Sequence, residues 1–337
     1  MEPTRRNALG FGVAISVLAS CGQRNVSEAS DHAETEPPPT NAQSSASSSE
    51  GPFLSNTVLQ GGALVGRTTP GAQVSLGEER TVASSVGAFV IGFDRDAGAE
   101  ATVRIAGDGT SLEQRIAVTP RTYRTQEITD PTRRSASDEL FPRDWFDPTG
   151  EATTGDTAAL ASVVRTRAVS ENVTSVAEGV RLKEAAFASR DTTVAGFADR
   201  WQPPVRGFRI TSEWGASRTV NTPQGRLQRA HYGIDIATPL GTPIVAPAAA
   251  KVVLAQPELY YEGGCVFLDH GQGLISVYLH MMSLDVEVND IVEAGQRIGT
   301  TGATGRVTGP HLCWRMKWRR ANLDPTLMLP GGVADLT

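Results

Sequence analysis

Glycine and proline interrupt this chain so often that few stretches run on uninterrupted; there are 34 Gly and 20 Pro in 337 residues. Punctuation at that density favours short strands and turns over long helices. The runs between the interruptions bear this out at the level of pattern. Ala72-Gln73-Val74-Ser75-Leu76, Ala101-Thr102-Val103-Arg104-Ile105 and Gln114-Arg115-Ile116-Ala117-Val118 alternate with period 2. Thr69-Pro70-Gly71, Gly77, Gly87 and Gly107-Asp108-Gly109 separate them. Such spacing predicts a small antiparallel β-sandwich over residues 52–128.

A second β-prone region begins at Trp201-Gln202-Pro203-Pro204 and runs to about residue 330. Its candidate strands are 243–247, 251–254, 264–268 and 274–279, so this part is expected to be all-β. Between the two regions, residues 129–200 read as a polar linker followed by a helical connector. Asp156 caps one expected helix, with Leu160, Val163, Val164 and Ala168 at helical spacing, and a second runs from about Val173 to Ala188. The fold class expected is therefore mainly β, with a sandwich, a helical connector and an all-β C-terminal domain.

Four of the five histidines fall in the C-terminal region. His231 and Asp235 are four residues apart, and Tyr278-Leu279-His280 places a His at the end of a candidate strand. His311 and Cys313 are two apart, so on a strand they share a face. One His, one carboxylate and a third N or S donor, leaving a position open, is what a catalytic zinc site requires. His270 lacks such company and reads as a hydrogen-bonded core residue; His32 lies in a polar tract and reads as inert.

Four segments carry a resemblance. They are His231-Tyr232-Gly233-Ile234-Asp235, Gly241-Thr242-Pro243-Ile244-Val245-Ala246-Pro247, Leu268-Asp269-His270-Gly271 with Tyr278-Leu279-His280-Met281, and Gly299 through Trp314. In order and over about 125 residues they resemble the HxGxD, GTPVxAP, DHG…YxHM and GxTGxxTGPHLHW segments of the lysostaphin/LytM-type zinc metalloendopeptidases. Trp214-Gly215 and Arg218 fit the same template more loosely. The resemblance implies that residues 201–330 form a peptidase domain that binds Zn2+ through His231 and Asp235. It makes His280 and His311 the non-ligand catalytic histidines, and peptidoglycan stem peptides the partner.

The family's third ligand is the second His of HxH, and here that position is Cys313. A thiolate completes a three-donor set, yet it gives a metal more charge than imidazole and weakens it as a Lewis acid. Cys313 can also be a buried thiol, or the disulfide partner of Cys265. Two functions follow: a zinc endopeptidase of peptidoglycan cross-links, with D-alanyl–diaminopimelate bonds the natural target, or a catalytically impaired relative that binds the wall or activates an amidase. The loops around 214–230 and 255–263 would line the substrate groove. Trp314, Met316 and Trp318 alternate as core residues do, and Lys317-Trp318-Arg319-Arg320 reads as a solvated face.

The N-terminus bears on location. Arg5 and Arg6 precede an apolar run from Ala8 to Ala19, too short to span a bilayer and suited to a signal peptide. It ends in Leu18-Ala19-Ser20-Cys21, which resembles the bacterial lipobox. The expectation is a signal peptide over 1–20, a lipid on Cys21 and a disordered Ser/Glu/Pro/Thr-rich tether over 21–51. That describes a membrane-anchored lipoprotein of a Gram-negative periplasm. A net charge of −6 argues against nucleic acid as a partner.

Overall fold

The computed structural model describes residues 57–107, 109–128, 174–222, 225–307 and 309–337. The expected signal peptide, Cys21, the tether with His32 and the helix after Asp156 lie outside these residues. Among the described residues no helix is long and apolar enough to cross a membrane.

The chain is mainly β. Strands β1 (Thr57–Leu59), β2 (Ala63–Arg67), β3 (Gln73–Leu76), β4 (Glu79–Val82), β5 (Ala88–Gly92), β6 (Glu100–Gly107) and β7 (Thr110–Thr119) form two sheets. One has the order β1-β7-β6-β3-β4, and the other pairs β2 with β5. The period-2 runs behave as their pattern requires: Val74, Val103, Ile105, Ile116 and Val118 are all buried. The pairing departs from a purely antiparallel sandwich, because β1 runs parallel to β7. The next strand, β8 (Thr125–Ile128), leaves these sheets altogether. It pairs in parallel with β10 (Ser217–Thr222), which in turn pairs with β11 (Gly225–Ala230).

Helix α1 (Val176–Phe187) falls inside the range expected at 173–188. Ser175 caps it, its Oγ accepting from Glu178 N at 3.2 Å. The C-terminal strands then follow. They are β9 (Ile210–Ser212), β12 (Gly233–Ala237), β13 (Pro243–Val245), β14 (Ala250–Leu259), β15 (Gly263–Asp269), β16 (Leu274–Leu284), β17 (Ile291–Val292), β18 (Arg297–Thr301), β19 (His311–Trp318) and β20 (Ala321–Leu323). The main path of this sheet is β17-β14-β15-β16-β19-β12-β9.

One apolar cluster runs from Leu64, Phe89 and Ile116 through Ile234, Trp314 and Trp318 to Leu336, so the sandwich and the C-terminal sheet share a core. Strand β5 is the seam and is buried at every position. A Cβ added to Gly92 would lie 2.7 Å from Trp318 Cβ, which explains glycine at this closest approach. Gln272 locks the seam. Its Oε1 accepts from Thr81 Oγ1 at 2.9 Å and Val90 N at 3.1 Å, while Nε2 donates to Ala88 O at 3.1 Å.

A second cluster lies under α1, where Ala186 and Phe187 meet Leu254, Phe267, Val277 and Leu279. That helix corrects one expectation. Lys317 is not on a solvated face: it is 2% exposed, with Nζ 5.1 Å from the centre of the Phe187 ring. Strand β19 sits inside the sheet and α1 covers its Lys317 side. Arg319 is drawn in as well, its guanidinium 5.2 Å from the Trp318 ring centre, and only Arg320 stays exposed. Strand order also removes the Cys265–Cys313 disulfide. The two residues lie on β15 and β19 with β16 between them, so their backbones are about 9–10 Å apart at ordinary strand spacing, too far for a bridge. Both thiols are free and buried.

Two stability predictions follow. Gln272→Ala leaves Thr81 Oγ1 and Val90 N buried without their partner, which should cost about 2 kcal/mol and lower Tm by roughly 4–8 °C; an unchanged calorimetric Tm would show that the seam does not depend on it. His270 is fully buried, its Nδ1 donating to Ala249 O at 3.0 Å and its Nε2 lying 2.7 Å from Ser276 Oγ. Burial pushes its pKa down to about 4. The unfolded chain takes up this proton near pH 6.5, so stability is full above that pH and is lost as pH falls towards about 4. Between pH 7 and pH 5 the wild type should lose roughly 2 kcal/mol more in urea unfolding than His270→Gln; equal losses would contradict this.

Candidate metal centre

His231 precedes β12, and its backbone is fixed at both groups. Its N donates to Ala216 O at 2.8 Å and its O accepts from Gly215 N at 2.7 Å. Asp235 follows within β12. Antiparallel pairing with β19 sets Asp235 opposite Cys313 and Ala237 opposite His311. The structure thus brings His231, Asp235 and Cys313 together, one donor atom from each lying within 4.8 Å of the others. His231 Nε2 is 3.3 Å from Asp235 Oδ1 and 3.8 Å from Cys313 Sγ. Tetrahedral zinc with bonds of about 2.0–2.3 Å separates its donors by roughly 3.3–3.8 Å. Asp235 Oδ1 is buried and accepts no hydrogen bond. An orphaned carboxylate oxygen between an imidazole and a thiol is what a metal site leaves in the protein alone, so these residues fit zinc.

The surroundings orient the donors. Arg218 donates to Asp235 Oδ2 at 2.9 Å and to Ser212 Oγ at 2.9 Å. Ser212 Oγ lies 3.1 Å from His231 Nδ1. With the His231 proton on Nδ1, directed at Ser212, Nε2 keeps its lone pair for a metal. Burial, helped by Arg218 and Arg315, takes His231 down to about 4 despite Asp235. Burial alone would raise Asp235, but facing His231 and the Arg218 guanidinium outweigh it and hold the carboxyl well below its usual range. Burial pushes the Cys313 thiol up to about 12, with Arg315 opposing the rise. Loading a metal would therefore release a proton from Cys313.

His280 and His311 stand beside this set, their ring centres 4.8 Å apart. His311 Nε2 is 3.8 Å from Asp235 Oδ1. Each Nδ1 faces a backbone carbonyl, which can only accept: Thr304 O at 3.0 Å for His280 and Gly309 O at 2.9 Å for His311. Both rings are thus fixed with Nδ1 protonated and Nε2 as a base. His280 lies within β16 rather than at its end. It adopts a left-handed φ of 66°, and its N donates to Glu262 O at 2.8 Å. Burial and the neighbouring His311 push His280 down to about 3. Glu262 itself is tied to α1 through a buried ion pair with Lys183.

All five sequence-derived residues of the site therefore meet in one place. Reasoning from sequence missed Ser212 and Arg315, whose Nε donates to Cys313 Sγ at 3.1 Å. Nothing local marks Ser212. Arg315 was within reach, because the period that places Cys313 beside His311 places Arg315 next on the same face.

Residues 229–325 match the profile of Peptidase family M23. The peptidoglycan DD-endopeptidase ShyA of Vibrio cholerae is 34% identical over 122 residues, 35% of this chain and 28% of the relative. The uncharacterized lipoprotein YgeR of Escherichia coli is 32% identical over 117 residues, 35% of this chain and 46% of the relative. The chain thus spans less than half the length of either. A solved peptidase M23 structure from Pseudomonas aeruginosa shares the fold, with a TM-score of 0.53 at 22% identity over 80% of this chain and 94% of that one. The matched residues 229–325 contain His231, Asp235, His280, His311 and Cys313.

Proposed function

We propose that the chain is a zinc-dependent endopeptidase that hydrolyses peptide cross-links of peptidoglycan. The observation that carries this reading is the convergence of His231, Asp235 and Cys313 within 4.8 Å, with an unpartnered Asp235 Oδ1. When bound there, zinc supplies Lewis acidity toward the scissile carbonyl and makes water more acidic. His280 and His311 present two Nε2 bases to the same cleft; one takes the proton of the attacking water, and once protonated its N–H can donate to the developing oxyanion. The β10–β11 hairpin and the turn between β14 and β15 wall the groove for a stem peptide. The DD-endopeptidase name of ShyA supports peptidoglycan as the substrate.

In this reading residues 1–20 are a signal peptide, and Cys21 carries the lipid that anchors the chain to a Gram-negative membrane. Residues 21–51 are the tether, 52–128 the sandwich, 129–200 the connector and 201–330 the peptidase domain. YgeR, named a lipoprotein, supports the anchor. Cys313 favours a second reading, in which the site is impaired and the domain binds the wall or activates an amidase.

Purified full-length protein with measured zinc, incubated with murein, separates the two. The peptidase reading expects soluble muropeptides from the wild type. His231→Ala should lose zinc and activity together, while His311→Ala should keep zinc and lose roughly 10²–10⁴-fold in rate. Cys313→Ala should lose zinc, and Cys313→His should keep it. A zinc-loaded wild type that leaves murein intact would overturn the peptidase reading in favour of the second.

A further inference from the structure

The period of β19 puts His311, Cys313 and Arg315 on one face, and Arg315 faces Gly233 directly across the β12 pairing. From there its Nε donates to Cys313 Sγ at 3.1 Å. Gly233 makes the reach possible. A Cβ built at 233 would lie 2.8 Å from Arg315 Cγ, 2.8 Å from Cys313 Sγ and 3.0 Å from Arg315 Nε, so the hydrogen bond fills the space a side chain would take. Across the site Arg218 serves Asp235 in the same way, donating to Oδ2 at 2.9 Å. Each of the two donors that is an anion when it ligates a metal thus has its own guanidinium.

We infer that Arg315 is a positioning residue for the metal centre, which offsets the charge that a thiolate brings to a site of this kind. The inference rests on the reading of Cys313 as a ligand. A thiolate gives a metal more charge than imidazole does and so blunts its acidity toward substrate. A charge-assisted N–H···S hydrogen bond draws density off the sulfur and fixes the direction of its remaining lone pairs. Arginine suits the task better than lysine, because its donors point in fixed directions and it stays charged when half-buried. Cys313 and Arg315 therefore form one unit, the sulfur holding metal and the guanidinium holding the sulfur.

The test uses the full chain loaded with Co(II), whose thiolate-to-metal charge-transfer band reports electron density on the sulfur, together with zinc affinity by chelator competition. The wild type should show the band. In Arg315→Met it should move to longer wavelength, because a sulfur without its hydrogen bond gives up an electron more easily, and zinc should bind roughly 10- to 100-fold more weakly. Arg315→Lys, which keeps the charge without the Nε–H, should fall between the two. A band and an affinity unchanged in both variants would overturn the role of Arg315 and leave Cys313 as a ligand. A wild type with bound cobalt and no thiolate band would instead remove Cys313 from the ligand set, and the Arg315 assignment with it.

Discussion

The register of β12 against β19 is the constraint on which the site depends. Because side chains alternate along a strand, a slip of one residue between the two would put Asp235 on the face opposite His311, Cys313 and Arg315. What forbids the slip is the other side of the same two strands. Ile234, Ile236, Leu312, Trp314 and Met316 are at most 2% exposed and pack into the main core. The cluster of His231, Asp235 and Cys313 is thus held in place by apolar burial on the opposite face of the sheet. Strand β16 pairs with β19 on its other flank and delivers His280, turned inward by a left-handed backbone.

The sandwich takes part in this arrangement. It shares the main core, and β8 pairs with β10, the strand that bears Arg218. Arg95 donates to Gly215 O through Nε at 3.0 Å and Nη2 at 2.9 Å, and Tyr123 packs edge-on against Trp214 at 5.8 Å. Arg121, paired with buried Asp324 at 2.8 Å, lies with its guanidinium 5.3 Å from the Trp214 ring centre. These contacts brace residues 214–218, the segment through which Arg218 and the His231 backbone are positioned. On the other side of the site α1 does comparable service through Lys183 and Glu262, the residue whose carbonyl anchors His280. Elements that carry none of the five site residues thus hold both sides of the site.

Much of this was legible in the sequence, and what was not has a common cause. Period 2 located β3, β6 and β7, and β-prone runs between turn signals located β13, β14, β15 and β16, because both are local properties of the chain. The motif spacing picked out His231, Asp235, His280, His311 and Cys313, because metal chemistry permits few residue types. Partner choice was not legible: nothing in residues 57–59 says that β1 runs parallel to β7, and nothing in 125–128 says that β8 pairs with β10. Lys317 was misread for the same reason. Its face follows from alternation, but the helix that covers that face lies more than a hundred residues earlier. Arg315 is the opposite case, since the alternation rule already pointed to it.

The central claim is that a thiolate stands where a second imidazole would be expected, as the third metal donor. X-ray absorption at the zinc edge of the loaded full-length protein addresses it directly. The account predicts one sulfur scatterer at about 2.3 Å among nitrogen and oxygen scatterers at about 2.0–2.2 Å. A zinc shell of nitrogen and oxygen alone would contradict it.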